Sequence, residues 1–179
     1  MNTAKATFAG GCFWCTEAVF RQLQGVTAVI PGYTDGHLAE PDYESVCRGD
    51  SGHAEAIELH YQPDTISYAT LLQVFFLTHD PTTLNRQGND VGTQYRSAIY
   101  THDDSQQQQA LAFIQQLDAS GDYPAAIVTE VKPASHFYPA EVYHHDYYAR
   151  NQSAGYCQVV IAPKLHKLYR SAPALLKSS

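Results

Sequence analysis

Lys5-Ala6-Thr7-Phe8-Ala9-Gly10-Gly11-Cys12-Phe13-Trp14-Cys15-Thr16-Glu17 opens the chain with an apolar stretch, a glycine pair and the start of an amphipathic segment. Residues 5–9 read as a strand and the glycines as a tight turn. From Thr16 to Gln24 the apolar residues Ala18, Val19 and Leu23 share one helical face, with Gly25 positioned to end the helix. Cys12 then sits where the strand hands over to the first helical turn. Unpaired N–H groups and the positive end of the helix dipole favour a negative sulfur there, and the thiolate is the nucleophilic form. Most free cysteines are small buried hydrophobes. The adjacent aromatics argue for reactivity instead: Phe13 and Trp14 cannot both face the core from one turn, so one borders an accessible pocket. The glycines let a ligand approach the backbone closely.

Further along, strands are expected at Val26–Ile30, Ala54–Tyr61, Arg96–Tyr100 and Ala126–Val131. A helix is expected from Tyr68 to Thr78, capped by Ser67, with Tyr68, Leu71, Leu72, Phe75 and Phe76 toward the core. Another follows Asp104-Ser105, its start exposed at Gln106 to Gln109 and its core side at Leu111, Phe113, Ile114 and Leu117. Helices and strands mix without strict alternation, which predicts an α+β fold with a mainly open sheet. No repeat or linker divides the chain, so residues 1–179 read as a single domain. The tail, 158–179, carries Lys164, Lys167, Arg170 and Lys177 and reads as a solvated basic C-terminal arm.

A net charge of −7 argues against nucleic acid or an anionic membrane as partner. No secretory signal and no apolar run of spanning length is visible, so a cytoplasmic protein is expected. Four cysteines in such a chain suggest a reducing compartment and redox or catalytic use. There are thirteen tyrosines, and Met1 is the only methionine. Chance accounts for that scarcity, which also suits a protein that meets oxidants.

Several residues are candidates to work with Cys12. In Ala54-Glu55-Ala56-Ile57-Glu58-Leu59-His60-Tyr61, alternation puts Glu55 on the core face with Ile57 and Leu59, where lost hydration raises its pKa and keeps it an acid. At a frayed strand start it would instead point to solvent, and alternation alone leaves both readings open. The polar loop from Arg86 to Ser97 offers Asp90 and Tyr95, with Asp90 also serving as a turn former. Tyr43 lies on the turn Pro41-Asp42-Tyr43, where a surface aromatic is the plainer reading. His144-His145, with Glu141 and Asp146, invites a metal, but adjacent histidines cannot face one way on a helix and no second ligand pair follows. Cys12-x-x-Cys15 is compatible with zinc or a redox dithiol; zinc needs a second pair, and Cys47 and Cys157 are isolated.

Gly10-Gly11-Cys12-Phe13-Trp14, Gly32-Tyr33-Thr34, Pro41-x-Tyr43, Gly52-His53-Ala54-Glu55, Gln87-Gly88-Asn89-Asp90-x-Gly92-Thr93-Gln94-Tyr95-Arg96-Ser97 and Gly155-Tyr156-Cys157 occur in that order. Together they resemble the peptide methionine sulfoxide reductase A family, over most of the chain from Phe8 to Cys157. The resemblance implies a two-layer α+β sandwich, a ferredoxin-like-related mixed sheet with flanking helices. It implies that Cys12 attacks the sulfur of an S-configured methionine sulfoxide, free or in a protein, while Phe13 and Trp14 cradle the methyl group. Glu55, protonated, would donate to the sulfoxide oxygen with help from Tyr43 and Tyr95, and Asp90 would support the site. The products are methionine and a Cys12 sulfenic acid.

The sulfenic acid is resolved by a second thiol, and the disulfide is opened by an external reductant. Cys157 matches the family's resolving position, with Gly155 giving it mobility. Cys15, one turn from Cys12, is the rival or a relay partner, and Cys47 is a spectator. Thioredoxin is the reductant the family implies; no cofactor or metal is expected, and a monomer is the default. The chain departs from many members with Asp35-Gly36 in place of Gly-Gly and Ser51 in place of Thr. It also lacks a later recycling cysteine. Two other readings remain: a thiol–disulfide oxidoreductase using Cys12 and Cys15, and a sulfoxide-binding redox sensor without turnover.

Overall fold

The computed structural model describes residues 3–177. In chain order the elements are β1 (Ala4–Gly10), α1 (Phe13–Phe20), β2 (Val26–Thr34), α2 (Tyr43–Cys47), β3 (Ala54–Tyr61), α3 (Tyr68–Thr78) and the two-residue strands β4 (Arg86–Gln87) and β5 (Asp90–Val91). Then follow β6 (Ser97–Thr101), α4 (Asp104–Ser120), β7 (Glu130–Pro133), β8 (Phe137–Pro139), α5 (Tyr147–Arg150) and α6 (Ala162–Ser171). Six strands form one mixed sheet in the order β7-β6-β1-β3-β2-β8, antiparallel except for the parallel β6–β7 pair. The α+β expectation is met: a sheet with flanking helices.

Alternation organises the sheet. On β3, Ile57, Leu59 and Tyr61 join the main core with residues of α1, α3 and α6. Ala54 and Ala56 face the other way, into a small cluster with Ala9, Ala98 and Tyr100. Phe8 stacks on Phe20 and Phe75, tying β1 to α1 and α3. The expected cap of α3 is present: the Ser67 hydroxyl accepts the Thr70 N–H at 3.1 Å.

Elsewhere distant contacts override local pattern. The helix expected to reach Gln24 ends at Phe20, because residues 22–24 pair with the tail instead: Gln24 N–H bonds the Leu175 carbonyl and Lys177 N–H the Gln22 carbonyl, both at 2.8 Å. β2 continues through Pro31, whose carbonyl accepts from Ala140, and pairs with β8, a strand the sequence reading lacks. The strand expected at Ala126–Val131 begins at Glu130, since Val128 bonds Pro81 and Ile127 bonds the Asp118 carboxylate. In α4 the cap is Asp103. Gln106, expected exposed, is buried on Lys5 and His102, whereas Leu111 is exposed. The tail is not an arm among the described residues. Lys167, Arg170 and Lys177 are exposed and Lys164 is half-buried, but Leu165 and Leu168 of α6 are buried against the core, as amphipathic spacing dictates. Its last two residues lie outside the described range.

Asp35 has φ +68°, a left-handed conformation that suits glycine. Its carboxylate is held there by Arg96 (3.0 Å), Lys132 (3.1 Å) and the Tyr100 hydroxyl (3.1 Å). Arg96 also donates to the carbonyls of Thr93 and Gly52, joining the turn before Tyr95 to the loop before Glu55.

Candidate active site

Cys12 is the N-cap of α1, reached from β1 through Gly11. Gly11 has φ +94°, and a side chain there would meet Gln87 at 2.6 Å, so only glycine makes this turn. The Cys12 carbonyl accepts the Cys15 N–H at 3.0 Å, which puts the two buried thiols one turn apart at the start of α1. Their protonation is the reverse of the expectation. Burial, then the hydrogen bond to Cys15, then the charge of Glu55 push the Cys12 thiol well up, outweighing the pull of the Trp14 amide. The Cys15 thiol is lowered, chiefly by the hydrogen bond from Cys12, with Lys164 adding to it. Helix-terminal stabilisation at Cys12 loses to desolvation beside a carboxyl group.

Glu55 is 1% exposed, on the core face of β3, which decides between its two sequence readings. Its Oε1 accepts the Phe13 N–H at 3.1 Å. Burial raises its pKa to about 8 against the pull of that bond, so it is mostly protonated at neutral pH. Tyr43 begins α2, where Asp42 and Ser45 form a capping box, and its hydroxyl pairs with the thiol of the exposed Cys47. Tyr95 ends the short turn Thr93–Tyr95. Burial raises both tyrosine pKa values, with Glu55 adding to each, so both hydroxyls remain donors.

Phe13 is fully buried and Trp14 half-buried, as two residues in one turn require. The indole of Trp14 stacks on Tyr147 at 3.8 Å and 6°, and its N–H donates to His144 Nδ1 at 3.0 Å. Tyr33, facing Glu55 in register across β2 and β3, donates to Glu141 at 2.9 Å and lies against Phe13. Glu17, also 1% exposed, accepts the Asp146 N–H at 2.7 Å and fixes the 141–148 segment on α1. Tyr147 is absent from the candidates drawn from sequence as partners of Cys12, and His144 and Glu141 enter them only through the metal reading. The His-His pair is the one signal there, and its metal reading points away from Trp14.

Asp90 lies in the β4–β5 hairpin and accepts the Tyr156 hydroxyl at 2.7 Å; that hydroxyl is also 3.7 Å from Cys15 Sγ. Cys157 is fully buried at the start of the π-turn Cys157–Ile161, its thiol raised by burial and then by Cys15. A cleft of about 530 Å³ runs past Cys12 and Cys15 between the hairpin, with Asp90, and the segment carrying Tyr156, Val160 and Lys164. The site thus combines a hydrogen-bonded dithiol, a third thiol nearby, a neutral buried carboxylic acid, two tyrosine hydroxyls and an aromatic wall. Such a set can exchange protons and electrons at sulfur.

Residues 4–174 match the family model described as peptide methionine sulfoxide reductase. A peptide methionine sulfoxide reductase MsrA of Chromobacterium violaceum is 58% identical over 174 residues, 97% of this chain and 99% of the relative. Reduced Mxr1 from Saccharomyces cerevisiae superposes with a TM-score of 0.79 at 32% identity, covering 87% of this chain and 89% of that one. Methionine sulfoxide reductase A of Corynebacterium diphtheriae gives 0.77 at 33%, covering 85% and 76%.

Proposed function

The chain belongs to the peptide methionine sulfoxide reductase family, whose enzymes reduce sulfoxides with thiols, and from that premise we propose that Cys12 is the attacking sulfur and Glu55 the acid. The substrate is the S-configured sulfoxide of methionine, free or within a polypeptide. The observation that carries this reading is the neutral carboxyl of Glu55 at the same helix terminus as a hydrogen-bonded dithiol.

Sulfoxide oxygen departs only when protonated. The Cys12 proton passes to Cys15, its hydrogen-bond acceptor, as the Cys12 sulfur attacks the sulfoxide sulfur. Glu55 gives its proton to the oxygen, with the hydroxyls of Tyr43 and Tyr95 as further donors. Transfer of the resulting hydroxyl to Cys12 releases methionine and leaves Cys12 as sulfenic acid and Glu55 as carboxylate. The sulfur of methionine gains two electrons and Cys12 loses them. Phe13 and Trp14 form the apolar wall for the methyl group. Asp90 orients the Tyr156 hydroxyl beside Cys15.

Resolution uses a second thiol. We assign it first to Cys15, because Cys15 lies one turn from Cys12 with its N–H on the Cys12 carbonyl; this exchanges the order that the resemblance alone suggests. Attack of Cys15 expels water and forms the Cys12–Cys15 disulfide. Cys157 then attacks Cys15, freeing Cys12, and a dithiol reductant of the thioredoxin type opens the Cys15–Cys157 disulfide. No helix among the described residues is long and apolar enough to cross a membrane.

The test is reduction of separated S and R diastereomers of N-acetylmethionine sulfoxide with dithiothreitol, followed by chiral chromatography. Selective loss of the S form is expected. A folded protein that consumes neither would refute turnover and return the dithiol oxidoreductase and the sensor as alternatives.

A further inference from the structure

Lys164 lies in the first turn of α6, where the positive end of the helix dipole disfavours a cation. It is half-buried there and forms no ion pair with any described residue. Neither helix stability nor charge pairing accounts for its position. Two cavities meet at this side chain. One, of about 430 Å³, is lined by His79, Asp80 and Lys167, and the other is the cleft past Cys12 and Cys15; Gln87, Pro163 and Lys164 belong to both. Among the described residues that line the cleft with Cys15, Lys164 is the one cation.

The other titratable groups around Cys15 bring no positive charge. Cys12 and Glu55 stand on the α1 and β3 side, Asp90 on the hairpin, and Tyr156 and Cys157 on the segment before α6. The Tyr156 hydroxyl, 3.7 Å from Cys15 Sγ, gives its hydrogen to Asp90 at 2.7 Å. It can serve a thiolate at Cys15 only by leaving that carboxylate. The Lys164 charge acts through space and needs no such exchange. Behind the hydrogen bond from Cys12, and against burial, it helps to lower the Cys15 thiol, where Asp90 acts the other way. We propose that Lys164 is a positioning residue for resolution, its ammonium favouring negative charge on Cys15 as that sulfur attacks the oxidised Cys12. In this step the S–S bond forms, the S–O bond of the sulfenic acid breaks, and the oxygen leaves as water with the proton from Cys15. Cys15 is oxidised and Cys12 reduced, each to the disulfide level. The inference rests on the reading of Cys15 as first resolver.

The test uses the Cys47→Ser/Cys157→Ser protein as parent, in which Cys12 and Cys15 are the remaining thiols. Its thiolate absorbance in the ultraviolet is titrated with pH. Adding Lys164→Gln is expected to move the lower midpoint up by roughly one pH unit, and adding Lys164→Arg to leave it in place. Each protein is then given one equivalent of S-N-acetylmethionine sulfoxide. Quenched samples are counted for N-acetylmethionine by chromatography and for the Cys12–Cys15 disulfide by mass spectrometry. Below the parent midpoint, Lys164→Gln is expected to slow disulfide formation relative to product release about three- to tenfold, with the rates converging at high pH. Equal midpoints in parent and Lys164→Gln would overturn the proposal. So would a shifted midpoint without slower disulfide formation, or an arginine variant that behaves like the glutamine one. If the parent releases N-acetylmethionine but forms no Cys12–Cys15 disulfide, the resolver reading fails and takes the proposal with it.

Discussion

Glu55 Oε1 accepts the backbone N–H of Phe13 at 3.1 Å, leaving the other carboxyl oxygen to carry the proton that burial retains up to a pH of about 8. The first amide of α1 thus orients an acid rather than a carboxylate. Glu55→Gln, which keeps the shape and removes the transferable proton, should slow sulfoxide reduction roughly 10²-fold or more. The wild-type single-turnover rate should fall as pH rises through about 8, because the acid ionises. An inflection that persists in Glu55→Gln would remove Glu55 from the acid role.

The same group predicts the pH dependence of folding. An ordinary glutamate titrates near 4.5 and Glu55 near 8, so between these values the native state binds more protons than the unfolded one. Its contribution is then fully favourable below pH 4.5, declines as pH rises, and is lost above about 8. Denaturant midpoints at pH 5 and pH 9 should fall with pH more steeply in wild type than in Glu55→Gln. Parallel profiles would contradict the burial assignment.

Cys12→Ser should abolish turnover, since a hydroxyl neither gives two electrons to the sulfoxide nor forms a sulfenic acid. Methionine release above background, measured by chromatography, would exclude the mechanism.

The relay predicts different trapped products. Cys157→Ser should accumulate the Cys12–Cys15 disulfide after one turnover, and Cys15→Ser the Cys12 sulfenic acid, captured by dimedone and located by peptide mass spectrometry. A Cys12–Cys157 disulfide forming at the wild-type rate in Cys15→Ser would restore Cys157 as the first resolver.

Asp35→Asn keeps a side chain that tolerates positive φ and removes the charge that Arg96, Lys132 and Tyr100 share. It should cost about 1–2 kcal/mol in urea unfolding. A neutral effect would mean that Glu130 and the carbonyls of Thr93 and Gly52 suffice to hold Arg96.

What the sequence by itself determined is what near neighbours record: the alternation that makes 54–61 a strand, the Ser67 cap, and the glycine turn that sets Cys12 at a helix start. Those features depend on backbone geometry over a few residues, so the chain spells them out locally. Tertiary structure decided the rest. The Cys12 thiol is raised because packing buries it beside Cys15 and beside Glu55, 43 positions away on β3. Trp14 finds its partner in His144, 130 positions on, and residues 22–24 leave the helix for the tail. Desolvation and hydrogen bonding between groups so far apart are set by where the sheet and helices pack, and no local pattern of residue types encodes that.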